Sequence, residues 1–153
     1  METKNVIMQL RTQRGLTQDE LATRLHVTRQ AVSRWETGKT LPDQETLKGL
    51  SALFDVSINT LLGSPRTLIC QCCGMPLEDT SISREPDGAF NEDYCKWCYV
   101  DGKYVYANMK ELIDYLVGHM STPDWPPEQA RDFFENQLKK LAYWQSHESP
   151  EPV

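Results

Sequence analysis

Between residues 3 and 62 the apolar positions recur every three or four residues, the spacing of short amphipathic helices. Ile7 and Leu10 share the face of a first helix that ends at Gly15, a suitable left-handed cap. A second opens at Thr17-Gln18-Asp19-Glu20, where Thr17 caps and Glu20 can reach back, and it turns Leu21, Ala22 and Leu25 inward. A third follows Thr28 with Ala31, Val32 and Trp35 inward and stops at Gly38, and a fourth follows Asp43 with Leu47, Leu50 and Phe54. The turn Ser57-Ile58-Asn59-Thr60-Leu61-Leu62 closes a five-helix bundle, small but sufficient for a core. The breakers Gly63-Ser64-Pro65-Arg66 then mark a linker.

Helical spacing returns only near the C-terminus. Asn108 caps a helix with Glu111 completing the capping box, and Met109, Leu112, Ile113, Leu116, Val117 and Met120 form its apolar face. A last helix starts near Pro126-Pro127-Glu128 and carries Ala130, Phe133, Phe134, Leu138, Leu141 and Trp144 inward. The tail 148–153 has too little apolar content to pack and is expected to be flexible. The expected organisation is therefore mainly α: a domain over 1–66, a second over 67–147 with two C-terminal helices, and the tail.

Composition refines this division. The 153 residues are 39% hydrophobic and 25% charged, a globular mixture without internal repeats. The apolar runs are far shorter than the roughly 18 residues that span a bilayer. Met1-Glu2-Thr3-Lys4-Asn5 also lacks the regions of a signal peptide, so no membrane is involved and the expected location is the cytoplasm. Sixteen Lys and Arg against 22 Asp and Glu give −6, which taken whole argues against a nucleic-acid partner. The charge is uneven, however. Residues 1–66 hold nine basic and seven acidic side chains, or +2, and the remainder seven and fifteen, or −8. All five cysteines lie in the acidic part, at 70, 72, 73, 95 and 98, a clustering that in a reducing compartment indicates metal or redox chemistry.

In the basic part, Leu25-His26-Val27-Thr28 separates the second and third helices by a turn short enough for a helix-turn-helix. The third helix turns Arg29, Gln30, Ser33 and Arg34 outward, side chains that suit guanine and adenine edges. The same types suit a solvated face, and chemistry alone does not choose between the two. Trp35 reads as core, Glu36 as an anchor at the helix end, and His26 as structural. The run Leu16-Thr17-Gln18-Asp19-Glu20-Leu21-Ala22, then Val27 to Lys39, then Leu41-Pro42-Asp43 and Leu47, resembles the Cro/repressor-type (xenobiotic-response-element) helix-turn-helix family over residues 5–62. The resemblance implies a double-stranded DNA operator as partner. It implies that Gln18 meets a phosphate, that Arg29, Gln30 and Arg34 approach base edges, and that Thr28, Lys39 and Thr40 brace the backbone. One departure is His26, where the family commonly has Gly; His tolerates a positive φ better than most side chains.

In the acidic part, Cys70-x2-Cys73 and Cys95-x2-Cys98 are separated by 21 residues, two tight turns that can give four thiolates to one tetrahedral Zn²⁺. Gly74 suits a knuckle whose backbone turns back toward sulfur. Cys72 would need a one-residue spacing to join the site, so it reads as a packed free thiol outside the ligand set. A resolving thiol during oxidation is the functional alternative for it. Cys70-Gln71-x-Cys73-Gly74-Met75-Pro76-Leu77, Asn91 to Tyr99 and Asp101-Gly102-Lys103 resemble zinc-ribbon domains attached to bacterial helix-turn-helix regulators. The two helical stripes can cover the ribbon or pair with a second chain, and His119 reads as a solvent-edge residue, not a ligand.

These features predict a sequence-specific transcriptional regulator that forms a homodimer, with one structural Zn²⁺ per chain at Cys70, Cys73, Cys95 and Cys98 and a second domain for dimerisation or for a protein partner. Alternatives are a redox or metal sensor switched through the four cysteines, and an adaptor that recruits another protein through its acidic domain. No phosphate loop, open metal position or paired nucleophile suggests catalysis.

Overall fold

The computed structural model describes residues 1–147 and is mainly α, with eight helices and four short strands among them. It divides into two compact units, Met1–Thr67 with Asp87–Phe90, and Leu68–Pro86 with the chain from Asn91 onward. The expected flexible tail, 148–153, lies outside the described residues.

The first unit holds α1 (Thr3–Gln13), α2 (Gln18–Leu25), α3 (Arg29–Thr37), α4 (Gln44–Phe54) and the single turn α5 (Ile58–Leu61). Side-chain oxygens start four of them. Thr17, Thr28, Asp43 and Ser57 accept from the amides of Glu20, Ala31, Thr46 and Thr60, satisfying donors that the helix leaves orphaned. The Thr46 amide and hydroxyl also hold the Asp43 carboxyl below its ordinary range. The stops are equally local. α2 ends on His26 at φ 56° and α3 on Gly38 at φ 77°, both left-handed. Ile7, Leu21, Val32, Leu50 and Leu61 are wholly buried, and Trp35 and Phe54 close the core around them. Gly63 sits at φ 84°, where an added Cβ would lie 1.8 Å from the Met1 carbonyl oxygen, so this position excludes any side chain.

β1 (Ile82–Arg84) pairs with β2 (Phe90–Cys95), which lies in the second unit from Asn91 onward, and in that unit β3 (Tyr99–Val100) runs antiparallel to β4 (Lys103–Tyr104), Tyr99 opposite Tyr104. Tyr94, Tyr99, Tyr104 and Tyr143 form a contiguous ring cluster with centroids 4.7 to 6.1 Å apart. Helix α6 (Met109–Met120) starts on Asn108, which accepts from the Glu111 amide, and packs against α7 (Pro127–Leu138).

The expected single last helix is two. The chain turns at 139–141, and α8 (Ala142–His147) follows. The cause is docking on the first cysteine turn: the amide of Tyr143 donates to the Gln71 carbonyl (3.2 Å), and Trp144 Nε1 donates to the Cys72 carbonyl (2.7 Å). Ala130, Phe134, Leu138 and Trp144 are buried as the spacing predicts. Phe133 and Met120 are not; they are 48% and 50% exposed.

Candidate functional site

The exposed surface of α3 is built by what lies beneath it. Val32 and Trp35 fix one side of the helix in the core, and Thr28, Arg29, Gln30 and Arg34 are exposed on the other, with Ser33 half-buried between them. Thr28 carries two duties: its hydroxyl caps the helix, and its position opens the outer face. Beyond Gly38 the backbone folds back, so that the amides of Lys39 and Thr40 donate to the Arg34 carbonyl at 2.9 and 3.4 Å. Six of the eight expected DNA contacts therefore stand along α3 or on its N-cap and C-terminal turn, the seventh, Thr40, follows directly, and Gln18 is the remaining one.

Gln18 reaches the same region through Glu36. That carboxylate is buried and takes three hydrogen bonds: Arg11 Nε at 2.5 Å, Arg11 Nη2 at 3.1 Å and Gln18 Nε2 at 2.8 Å. Arg11 Nη1 also donates to the Leu16 carbonyl at 2.7 Å, tying α1 to the start of α2. An amide nitrogen has two donors, so Gln18 keeps one N–H for another acceptor. Glu36 is thus the anchor its position suggested. Arg11 is a residue that sequence reasoning missed, because its partner lies 25 positions away and no local pattern joins them.

The four cysteines converge as their spacing predicts. Their sulfurs all lie within 4.8 Å of one another, with Cys73 Sγ 3.8 Å from Cys95 Sγ. A regular tetrahedron with Zn–S bonds of about 2.3 Å has edges of about 3.8 Å. The first turn is closed by the Gly74 amide on the Cys70 carbonyl (2.8 Å), and the amides of Cys72 and Cys73 point at Cys70 Sγ from 3.4 and 3.5 Å. The second closes through the Cys98 amide on the Cys95 carbonyl (3.1 Å). Hydrogen bonds from the neighbouring thiols, Cys73 first, pull the Cys70 thiol far below its ordinary range, and the Cys73 and Cys98 thiols are pushed far above theirs by donation to Cys70. Four thiols this close cannot all ionise alone, whereas a divalent cation would let them. All-sulfur donors close enough to share one ion, one pair at the tetrahedral edge length, and amides aimed at sulfur fit zinc, which Cys70, Cys73, Cys95 and Cys98 would hold as a cross-link between the two turns.

Cys72 is 1% exposed and outside this set. His119 stacks on Tyr115 with its ring nitrogen 2.8 Å from the Tyr115 carbonyl, away from any ligand role. No helix among the described residues is long and apolar enough to cross a membrane.

Each half of the chain has counterparts among known proteins. Residues 69–145 match the family described as "Putative zinc ribbon domain", and residues 7–61 match the family described as "Helix-turn-helix". The HTH-type transcriptional activator BcrR of Enterococcus faecalis is 48% identical over 62 residues, which cover 40% of this chain and 30% of that protein. The chain thus spans under a third of that relative's length. The SPbeta prophage-derived HTH-type transcriptional regulator YonR of Bacillus subtilis (strain 168), itself uncharacterized, is 34% identical over 82 residues, 45% of this chain and 76% of that protein. Among solved structures, the P22 c2 repressor in complex with a synthetic operator is 28% identical, covering 42% of this chain and 97% of that one, at a TM-score of 0.41. The chain belongs to the Cro/repressor-type helix-turn-helix transcriptional regulators and carries a zinc-ribbon domain in its second half.

Proposed function

We propose that the protein is a sequence-specific regulator of transcription, in which residues 1–66 read a double-stranded DNA operator and residues 67–147 form a domain closed by one structural Zn²⁺ per chain. The observation that carries this reading is the outer face of α3, exposed and free of acidic side chains from Arg29 to Arg34, on a helix anchored from below by Glu36. Arg29, Gln30 and Arg34 would meet base edges in the major groove, with Ser33 beside them. Gln18, Thr28, Lys39 and Thr40 would hold phosphates and set the register. A four-thiolate site leaves no coordination position for a substrate, so the second domain serves as a scaffold for homodimerisation or for a protein partner on its acidic surface, not for catalysis. A cytoplasmic location agrees with all of this.

The experiment is selection of bound duplexes from a randomised library, followed by affinity measurements on single-base variants. A specific site whose preference is lost position by position on changing Arg29 or Arg34 supports the proposal. Equal affinity for all duplexes contradicts it.

A second reading has one observation in its favour. The buried Cys72 sulfur lies within hydrogen-bonding reach of the Cys98 thiol, which donates to it. In this reading oxidation would join Cys72 to a ligand, release zinc and change DNA affinity. Matched DNA affinities of zinc-loaded, chelated and peroxide-treated protein would exclude the switch.

A further inference from the structure

Beside the metal site, within the second unit, lies an open cavity of about 600 Å³ between α6, α7 and the cysteine turns. Pockets for small organic ligands run from about 300 to 1,000 Å³. Its wall is aromatic and thioether: Trp97, Tyr106, Tyr115 and Phe133, with Met75 and Met120. Trp97, Tyr115, Met120 and Phe133 are each about half exposed, at 54, 50, 50 and 48%. These large apolar side chains, which helical spacing would have turned inward in two cases, converge on one opening. Such a gathering marks a binding surface more than scattered exposure does.

Charge selects the guest. Among the described residues lining the cavity there is no lysine, arginine or histidine, and no carboxylate either. Its boundary on the metal side is sulfur, because Cys73, Cys95 and Cys98 border it, and with zinc bound these would be thiolates. Four thiolates around one divalent metal carry a net charge of about −2. Aromatic faces add negative potential of their own and attract cations. Trp97 already holds one on its ring: Lys96 Nζ lies 4.8 Å from the centroid. An apolar body fills the volume, and a positive charge on it meets the sulfurs and the ring faces of Tyr106, Tyr115 and Phe133, the Lys96 ammonium standing at the Trp97 ring and not among the lining residues.

We infer that this cavity binds a lipophilic organic cation, an aryl-substituted phosphonium or quaternary ammonium ion of drug size. The inference concerns the metal-holding unit alone: it rests on the zinc reading, which metal analysis tests separately, and not on the DNA reading, which its failure would leave intact.

The test titrates the zinc-loaded full chain by calorimetry with tetraphenylphosphonium and, separately, with tetraphenylborate, which has the same shape and the opposite charge. The expected result is one phosphonium site per chain, with the borate at least about tenfold weaker. Trp97→Ala and Phe133→Ala each weaken phosphonium binding by about tenfold while zinc content and circular dichroism stay unchanged. Equal affinity for the two ions, absence of phosphonium binding, or unaltered affinity in both variants overturns the inference. So does sedimentation showing that the chain dimerises through this face and excludes the probe, with Trp97→Ala monomeric.

Discussion

Glu36 is 3% exposed in its side chain and is shared by Arg11 and Gln18, so its loss would leave a part-buried guanidinium without its charge partner. Removing one member of such a pair typically costs about 3 to 5 kcal/mol. Glu36→Gln should therefore lower the stability of the first unit by about 3 kcal/mol in urea unfolding, and a change below about 1 kcal/mol would show that the pair holds nothing in place. His26 makes a smaller claim of the same kind. At φ 56° it occupies a position that β-branched residues adopt only under strain. His26→Val should cost about 1 to 2 kcal/mol, measured in the same transition, and His26→Gly should not. The strained turn was legible through the family resemblance, which puts His26 at the turn position where Gly is common. The Arg11 link was not, because hydrophobic period and capping patterns carry no record of a contact 25 positions away.

Helices were read best where chemistry marks both ends. Thr17, Thr28, Asp43 and Asn108 each cap the helix their position announced, and Gly38 ends α3. The last helix had no such stop signal at 139–141, and its apolar spacing continues smoothly into Trp144. What breaks it is tertiary: α8 gives up continuity to bond the Gln71 and Cys72 carbonyls. Trp144→Phe keeps the ring packing and removes the donor, so it should cost about 1 to 3 kcal/mol by leaving the Cys72 carbonyl unsatisfied in the interior. An unchanged thermal midpoint in the zinc-loaded variant would contradict that account. The cysteine turns were legible from spacing alone, because C-x2-C dictates a turn whatever surrounds it. Chelation should accordingly abolish the cooperative transition of the second unit, with metal analysis giving one zinc per chain beforehand. Since binding must displace protons from thiols, zinc affinity should fall as pH falls, and a pH-independent affinity would mean that the cysteines are not the ligands.

At the scale of the whole chain, the net charge of −6 conceals two different halves: a +2 stretch with Arg29, Arg34 and Lys39, and a −8 stretch with every cysteine. Under the proposed function, nonspecific attraction to phosphate would come from the first stretch, and its salt dependence should follow the few cations there. What the fold adds is where those cations stand. Arg29 and Arg34 stand on the outer face of α3, while Lys39 lies past the Gly38 turn, where its backbone is tied to Arg34. The most direct measurement compares the binding of wild type, Arg34→Ala and Lys39→Ala across duplexes carrying each single-base change in the selected site. Loss of about 1 to 3 kcal/mol with relaxed preference at one base position for Arg34→Ala, and a uniform loss over all duplexes for Lys39→Ala, is the predicted result. An Arg34→Ala protein with the affinity and base preference of the wild type would contradict the reading of α3 as the recognition helix.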